Sequence, residues 1–281
     1  MLFLSRLRTK GNDLMTKIWE QLKDVRILDL SQPYFRGMPQ SPNHAAFRLI
    51  LDRRHGDVVS ESGGSASNEI IVTGTHVGTH IDALAHVSFQ GKLFGGIEAS
   101  SVMNHLGFSK HGIESVKPFL CRGVFLDVAR ASNQEILAAG YEITVGDLEA
   151  AQELAGVSIE EGDVVLIGSG WAKNWDKKEI FEGQTQGAPG IGKEAAEWLA
   201  EKKPRACGGE TIAFEQIPAG SGHRELPVHR IFLVESGIHI IETMNLTELS
   251  ANKVSDFLFI LAPLNLRGAT GSPVRPLAVL V

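Results

Sequence analysis

The sequence predicts one α/β domain, a mixed β-sheet with helices packed on it. Short apolar runs of strand character recur along the 281 residues, and capped or amphipathic helical stretches fall between them. No Pro/Gly/Ser-rich linker divides the chain, and no internal repeat is visible. A hydrophobic fraction of 43% and a charged fraction of 21% belong to an ordinary globular protein with a sizeable core. The net charge of −6 supplies no basic field for nucleic acid or anionic lipid. No apolar run approaches the roughly 18 residues of a membrane span. Met1-Leu2-Phe3-Leu4 is interrupted at once by Ser5-Arg6-Leu7-Arg8, the wrong order for a secretory signal. Cys121 and Cys207 stand alone, as expected of reduced thiols in a cytoplasmic protein.

Residues 1–24 read as an N-terminal helical extension, because Leu14, Ile18 and Leu22 recur at helical spacing among charged neighbours. The domain proper runs over 25–281. Val25 to Leu30 is the first strand, and Phe47 to Leu51 is another. Between them a proline-stiffened loop carries Tyr34, Phe35 and Arg36, the kind of loop that lines pockets. Ser60 to Asn68 is small and polar, a loop. Gly91 to Gly96 is a glycine-rich turn containing Phe94, and Phe119 to Val128 is an apolar strand. Thr144 caps a helix through Leu148, Ala151 and Leu154, with Asp147 completing the cap. Gly162 to Ile167 reads as a buried strand ending in Gly168-Ser169-Gly170-Trp171. Trp171 and Trp175 after that strand end are substrate-contact candidates, with core packing the alternative. Gly187 to Lys193 imitates a phosphate loop, but Glu194 stands where Ser or Thr would hold magnesium, so a loop entering the helix from Lys193 is expected. Strand character returns at Ala206 to Phe214, Gly237 to Glu242, Phe257 to Ala262 and Leu277 to Val281.

The chemistry concentrates in His76-Val77-Gly78-Thr79-His80-Ile81-Asp82-Ala83-Leu84-Ala85-His86. Imidazole and carboxylate are usual ligands for Zn²⁺, Mn²⁺ or Fe²⁺, and so dense a group is hard to bury without a cation. On a straight strand, four residues at roughly 3.3 Å each would hold the Cα atoms of His76 and His80 about 13 Å apart, too far for one ion. A helix would swing Asp82 away from the histidines. The segment must therefore bend, and Gly78 is the residue that permits it. A strand end that turns, with Ile70-Ile71-Val72 as the incoming strand, meets these conditions.

These residues resemble the metal-dependent cyclase family that includes bacterial kynurenine formamidase and isatin hydrolase. The family hallmark HxGTHxDxPxH is reproduced from His76 to His86 except that Leu84 replaces the proline. Weaker landmarks follow in order over residues 25–281: Gly168 to Trp171, Gly209-Glu210-Thr211, His229-Arg230, Gly237 to Glu242, and Gly268 to Pro273. The resemblance implies a cyclase-like swivelling β/β/α fold, assembled as homodimer or homotetramer. It implies His76, His80 and Asp82 as ligands of Mn²⁺ or Zn²⁺. His86 becomes a catalytic acid/base or, in dinuclear relatives, a ligand to a second ion, and His229 and Glu242 complete such a site. Glu210 stands where relatives often have aspartate.

The expected reaction is hydrolysis of a C–N amide bond in a small molecule: a cyclic amide, an isatin-like ring or an N-formyl arylamine. Metal-activated water attacks, and His86 moves a proton to the leaving nitrogen. Phe35, Phe94, Trp171 and Trp175 are the expected aromatic-binding residues. One rival is a non-haem Fe(II) oxygenase using His80, Asp82 and a distant histidine such as His229, which leaves His76 and His86 idle. The other is a catalytically silent metal- or ligand-binding protein.

Overall fold

The structure is a computed structural model and describes residues 16–222 and 225–280. Among these, nine strands form the main sheet. In chain order they are β1 (Arg26–Asp29), β2 (His80–Asp82), β3 (Phe119–Asp127), β4 (Val164–Gly168), β5 (Ala206–Gly209), β6 (His239–Glu242), β7 (Asp256–Leu261), β8 (Gly271–Pro273) and β9 (Leu277–Leu280). Across the sheet they lie β1-β9-β7-β3-β4-β5-β6-β2-β8. The central β3, β4, β5 and β6 are parallel, and the flanking pairs are antiparallel. This is the mixed α/β domain expected.

Side chains alternate across the sheet, so each strand feeds two cores. On one face Val124, Leu126, Val165, Ile167, Cys207 and Ile240 pack with apolar residues of the helices Val145–Ala155 and Lys193–Glu201. A third helix, Pro227–His229 continuing as the π-helical turn Arg230–Ser236, joins that layer through Val228, Ile231, Phe232 and Leu233. On the other face Phe125, Val164, Leu166, Ile241 and Ile81 pack with Leu249 and Met244. The helix Val145–Ala155 begins with the expected capping box, Thr144 Oγ1 accepting from Asp147 N at 3.3 Å and Asp147 Oδ2 accepting from Thr144 N at 2.8 Å. Gly187 to Lys193 runs through the bridge strand Gly190–Ile191 into the helix Lys193–Glu201, with no phosphate-loop geometry.

One expectation changes. Ile70 to Val72 is not the incoming strand of the histidine segment. It belongs to Asn68–Val72, paired with Arg48–Arg53 in a separate two-stranded ribbon whose residues are all exposed. Alternation of polarity marks a strand but not the sheet it joins, which long-range pairing decides. Of the N-terminal extension, residues 16–21 are helical; residues 1–15, Leu14 included, lie outside the described residues. No helix among the described residues is long and apolar enough to cross a membrane.

Candidate metal centre

After the ribbon the chain turns through residues 75–79, and Gly78 takes a left-handed φ of 65°. A Cβ there would come 2.5 Å from the ring of Tyr34, whose hydroxyl donates to Thr79 O at 2.6 Å. Conformation and space both call for glycine, as the spacing argument required. The turn delivers His80 and Asp82 onto β2. Ile81 between them enters one core, so both polar side chains face the other side of the sheet, where the helix carrying His229 packs. Glu242, at the end of β6, pairs directly with His80 in the ladder and reaches the same face.

The geometry brings six residues from three chain regions together. His80 Nε2 lies 3.2 Å from Glu242 Oε2 and 3.5 Å from Asp82 Oδ1. His229 Nε2 lies 3.2 Å from Glu242 Oε1 and 3.6 Å from Asp82 Oδ2. His76 Nδ1 lies 2.7 Å from Asp82 Oδ1, and its Nε2 meets Thr270 Oγ1 at 2.9 Å. His86 stacks on His76 with ring centroids 3.7 Å apart. Two overlapping groups of ligand atoms result, His76–His80–Asp82 and Asp82–His86–His229, sharing one aspartate.

The donor set fits a divalent cation on an observation internal to the protein. His80 places its Nδ1 2.7 Å from Gly78 O, and His229 places its Nδ1 2.6 Å from Glu215 Oε1. A carbonyl and a carboxylate only accept, so each Nδ1 carries a proton and Nε2 is the atom that each ring turns toward the carboxylate oxygens. Carboxylates gathered on those nitrogens draw positive charge into the site, as ring protons or as a metal ion. His80 Nε2, Asp82 Oδ2 and Glu242 Oε1 are buried with no hydrogen-bond partner, a costly state that a cation would relieve. Ligand atoms about 3–3.5 Å apart are also what bonds of about 2.1 Å to one ion impose.

Electrostatics follow the same crowding. Burial opposes charge on His80 and His229, but the facing carboxylates of Glu242, Asp82 and Glu215 outweigh it and raise both pKa values. Burial likewise opposes charge on Asp82 and Glu242, yet the surrounding histidines lower both. His86 is pushed down to about 3, by burial first, with Asp82 opposing and His76 and His229 adding to the effect.

The aromatic candidates divide. Trp171 and Trp175 lie in a buried cluster with Val77, Met38 and Phe181, which backs the histidine turn. Trp171 donates its indole N–H to Phe181 O at 3.1 Å, whereas Trp175 keeps a buried Nε1 without a partner. Phe35 meets Trp175 edge-on at 6.1 Å and is 39% exposed. Phe94 lies apart from this cluster, its ring against Gly237 and His111. Glu210 does not join this cluster of ligand atoms. It caps the Gly168–Trp171 turn, accepting from Ser169 N, Ser169 Oγ and Trp171 N at 2.8, 2.9 and 3.1 Å.

Three neighbours escaped sequence reasoning. Glu215 holds His229; its signal was a lone acid inside the apolar run Ile212 to Ile217. Thr270 meets His76 from the Gly268 to Pro273 landmark, which carried no role for it. The His44 ring lies tilted 5.4 Å from that of His76, and no local pattern marks it.

Comparison with known proteins agrees with this geometry. The Cyclase family model matches residues 28–216. An isatin hydrolase of Roseibium aggregatum is 26% identical over 212 residues, 74% of this chain and 73% of that protein. The crystal structure described as a novel cyclase superposes with a TM-score of 0.82 at 26% identity, covering 92% of this chain and 90% of that one. Isatin hydrolase A from Ralstonia solanacearum shares the fold, with a TM-score of 0.71 at 21% identity over 96% and 97% of the two chains. With two thirds of its length matched by the family model and the fold shared throughout, this chain is a member of the cyclase family.

Proposed function

We propose that the protein is a metal-dependent hydrolase that opens a C–N amide bond in a small aromatic or cyclic amide, of which an isatin-like ring is the leading class. The observation that carries this is the convergence of His80 Nε2, Asp82 Oδ2 and Glu242 Oε1, buried and unpartnered, on one side of the sheet. His76, His80, Asp82, His229 and Glu242 would hold Mn²⁺ or Zn²⁺. Such an ion supplies water acidified from a pKa of 15.7 to about 7 and polarises the scissile carbonyl.

The remaining work belongs to the chain. His86, stacked on His76 and grouped with Asp82 and His229, is placed to accept a proton during attack and return it to the leaving nitrogen. Its stacking on His76 fixes the ring plane for that transfer. Phe35, 39% exposed and edge-on to the buried Trp175, offers an apolar surface for a flat ring. Trp171 packs with Trp175 in the same buried cluster, and Phe94 stands outside it against Gly237 and His111. The likeness to isatin hydrolase in sequence favours the cyclic amide over an acyclic formamide. Glu242, a second carboxylate touching both His80 and His229, weighs against the two-histidine, one-carboxylate oxygenase.

The test is metal analysis of freshly purified protein, then turnover of isatin, cyclic imides and N-formyl arylamines with that metal restored. His86→Ala should keep its metal and lose turnover by about 10²–10⁴-fold. Undiminished turnover in that variant removes the assigned proton transfer; absence of metal-dependent hydrolysis across the panel removes the reaction.

A further inference from the structure

The helix bearing His229 begins poorly. Its N-cap Leu226 offers no side-chain bond, and Pro227 has no N–H. The first available donors, Val228 N and His229 N, both reach the carboxylate of Glu215 at 3.1 Å. The same carboxylate lies 2.6 Å from His229 Nδ1, and Glu215 is only 1% exposed. All three bonds fall on one buried acid from another part of the chain.

We propose that Glu215 is a positioning residue. It holds the proton of His229 on Nδ1 and aims Nε2 between Glu242 and Asp82, joining helix start and metal centre in one contact. The proposal rests on the metal reading above but not on the reaction. Carboxylates behind ligating histidines typically matter 10–100-fold for metal affinity, and we expect a loss of that size.

The experiment loads the full chain with Co²⁺. Equilibrium dialysis gives the affinity, and the paramagnetically shifted ring N–H signal of His229 gives its exchange with D₂O. Glu215→Ala should bind Co²⁺ at least tenfold more weakly and exchange that proton faster than wild type. Glu215→Gln, of the same shape, covers the case in which alanine does not fold. Its amide oxygen can serve His229 or Val228 but not both, so affinity and exchange should fall between the other two. Wild-type affinity and exchange in folded Glu215→Gln or Glu215→Ala overturn the proposal alone. A wild type that takes up no Co²⁺, Mn²⁺ or Zn²⁺ overturns the metal reading as well.

Discussion

At the metal centre, imidazoles and carboxylates lie buried against one another, and three of their atoms lack partners. In the ribbon, which ends four residues before His76, the chain does the reverse, holding out aliphatic side chains on both faces. A folded chain normally pairs what it buries and covers what is apolar. One region gathers charge in the interior, and the other holds apolar surface in water. A contrast within the core makes the first case sharper. Glu210 and Glu242 are both buried glutamates at the ends of neighbouring strands. Glu210 is supplied with three protein donors, yet burial still raises its pKa, with Asp127 adding to the rise. Glu242 faces two histidines, which overcome burial and keep it ionised. The first carboxyl is finished by the protein; the second is kept charged for something else.

The largest test of that contrast is Asp82→Asn. Asp82 is common to both ligand groups, so bound metal, read by elemental analysis, should fall more than tenfold and turnover should vanish. A chelator should lower the melting temperature of wild type, because loss of an ion bound at 100 times its Kd removes about 2.7 kcal/mol. It should leave Asp82→Asn unmoved; equal responses would mean the carboxylates do not await an ion. Gly78→Ala comes next. The left-handed φ and the 2.5 Å approach to Tyr34 should together cost about 1–3 kcal/mol in urea unfolding, with metal affinity falling as the turn opens. Stability unchanged within error would show that the bend is not confined to glycine.

Glu210→Gln is the smallest. A carboxyl whose pKa is raised on folding holds its proton longer than in the unfolded chain, so stability falls as pH rises from the ordinary carboxylate range through the folded value. The amide cannot ionise and can still accept from Ser169 and Trp171. The variant should therefore match wild type near pH 4 and exceed it by a few degrees in melting temperature at pH 8. A variant less stable than wild type at pH 8 would show that Glu210 is held as the anion.

Local chemistry was legible in the sequence and distant partnership was not. His76, His80, Asp82 and His86 sit within eleven residues, so composition and spacing announced the centre, and the bend at Gly78 followed from reach alone. The capping box at Thr144 was equally local. His229 and Glu242 came only through family resemblance, because nothing near them indicates that the ladder sets Glu242 opposite His80. Glu215, Thr270 and His44 act through contacts across 14, 194 and 32 positions, where no periodicity reaches. The strand at Ile70 was recognised, and its sheet was not, since β-periodicity carries no information about pairing. The aromatic residues gave the weakest signal: identical letters in a loop can be half-exposed beside another ring, as with Phe35, or packed against a glycine, as with Phe94.

The direct opposition of His80 and Glu242 in adjacent strands has a consequence for how the molecule assembles. A slip of one residue between β2 and β6 would send one of the two side chains to the far side of the sheet, and the ligand set would be broken. Only correctly zipped chains can then capture the ion, so supplying it during refolding should act as a proofreader, drawing misaligned molecules toward the one alignment that holds it.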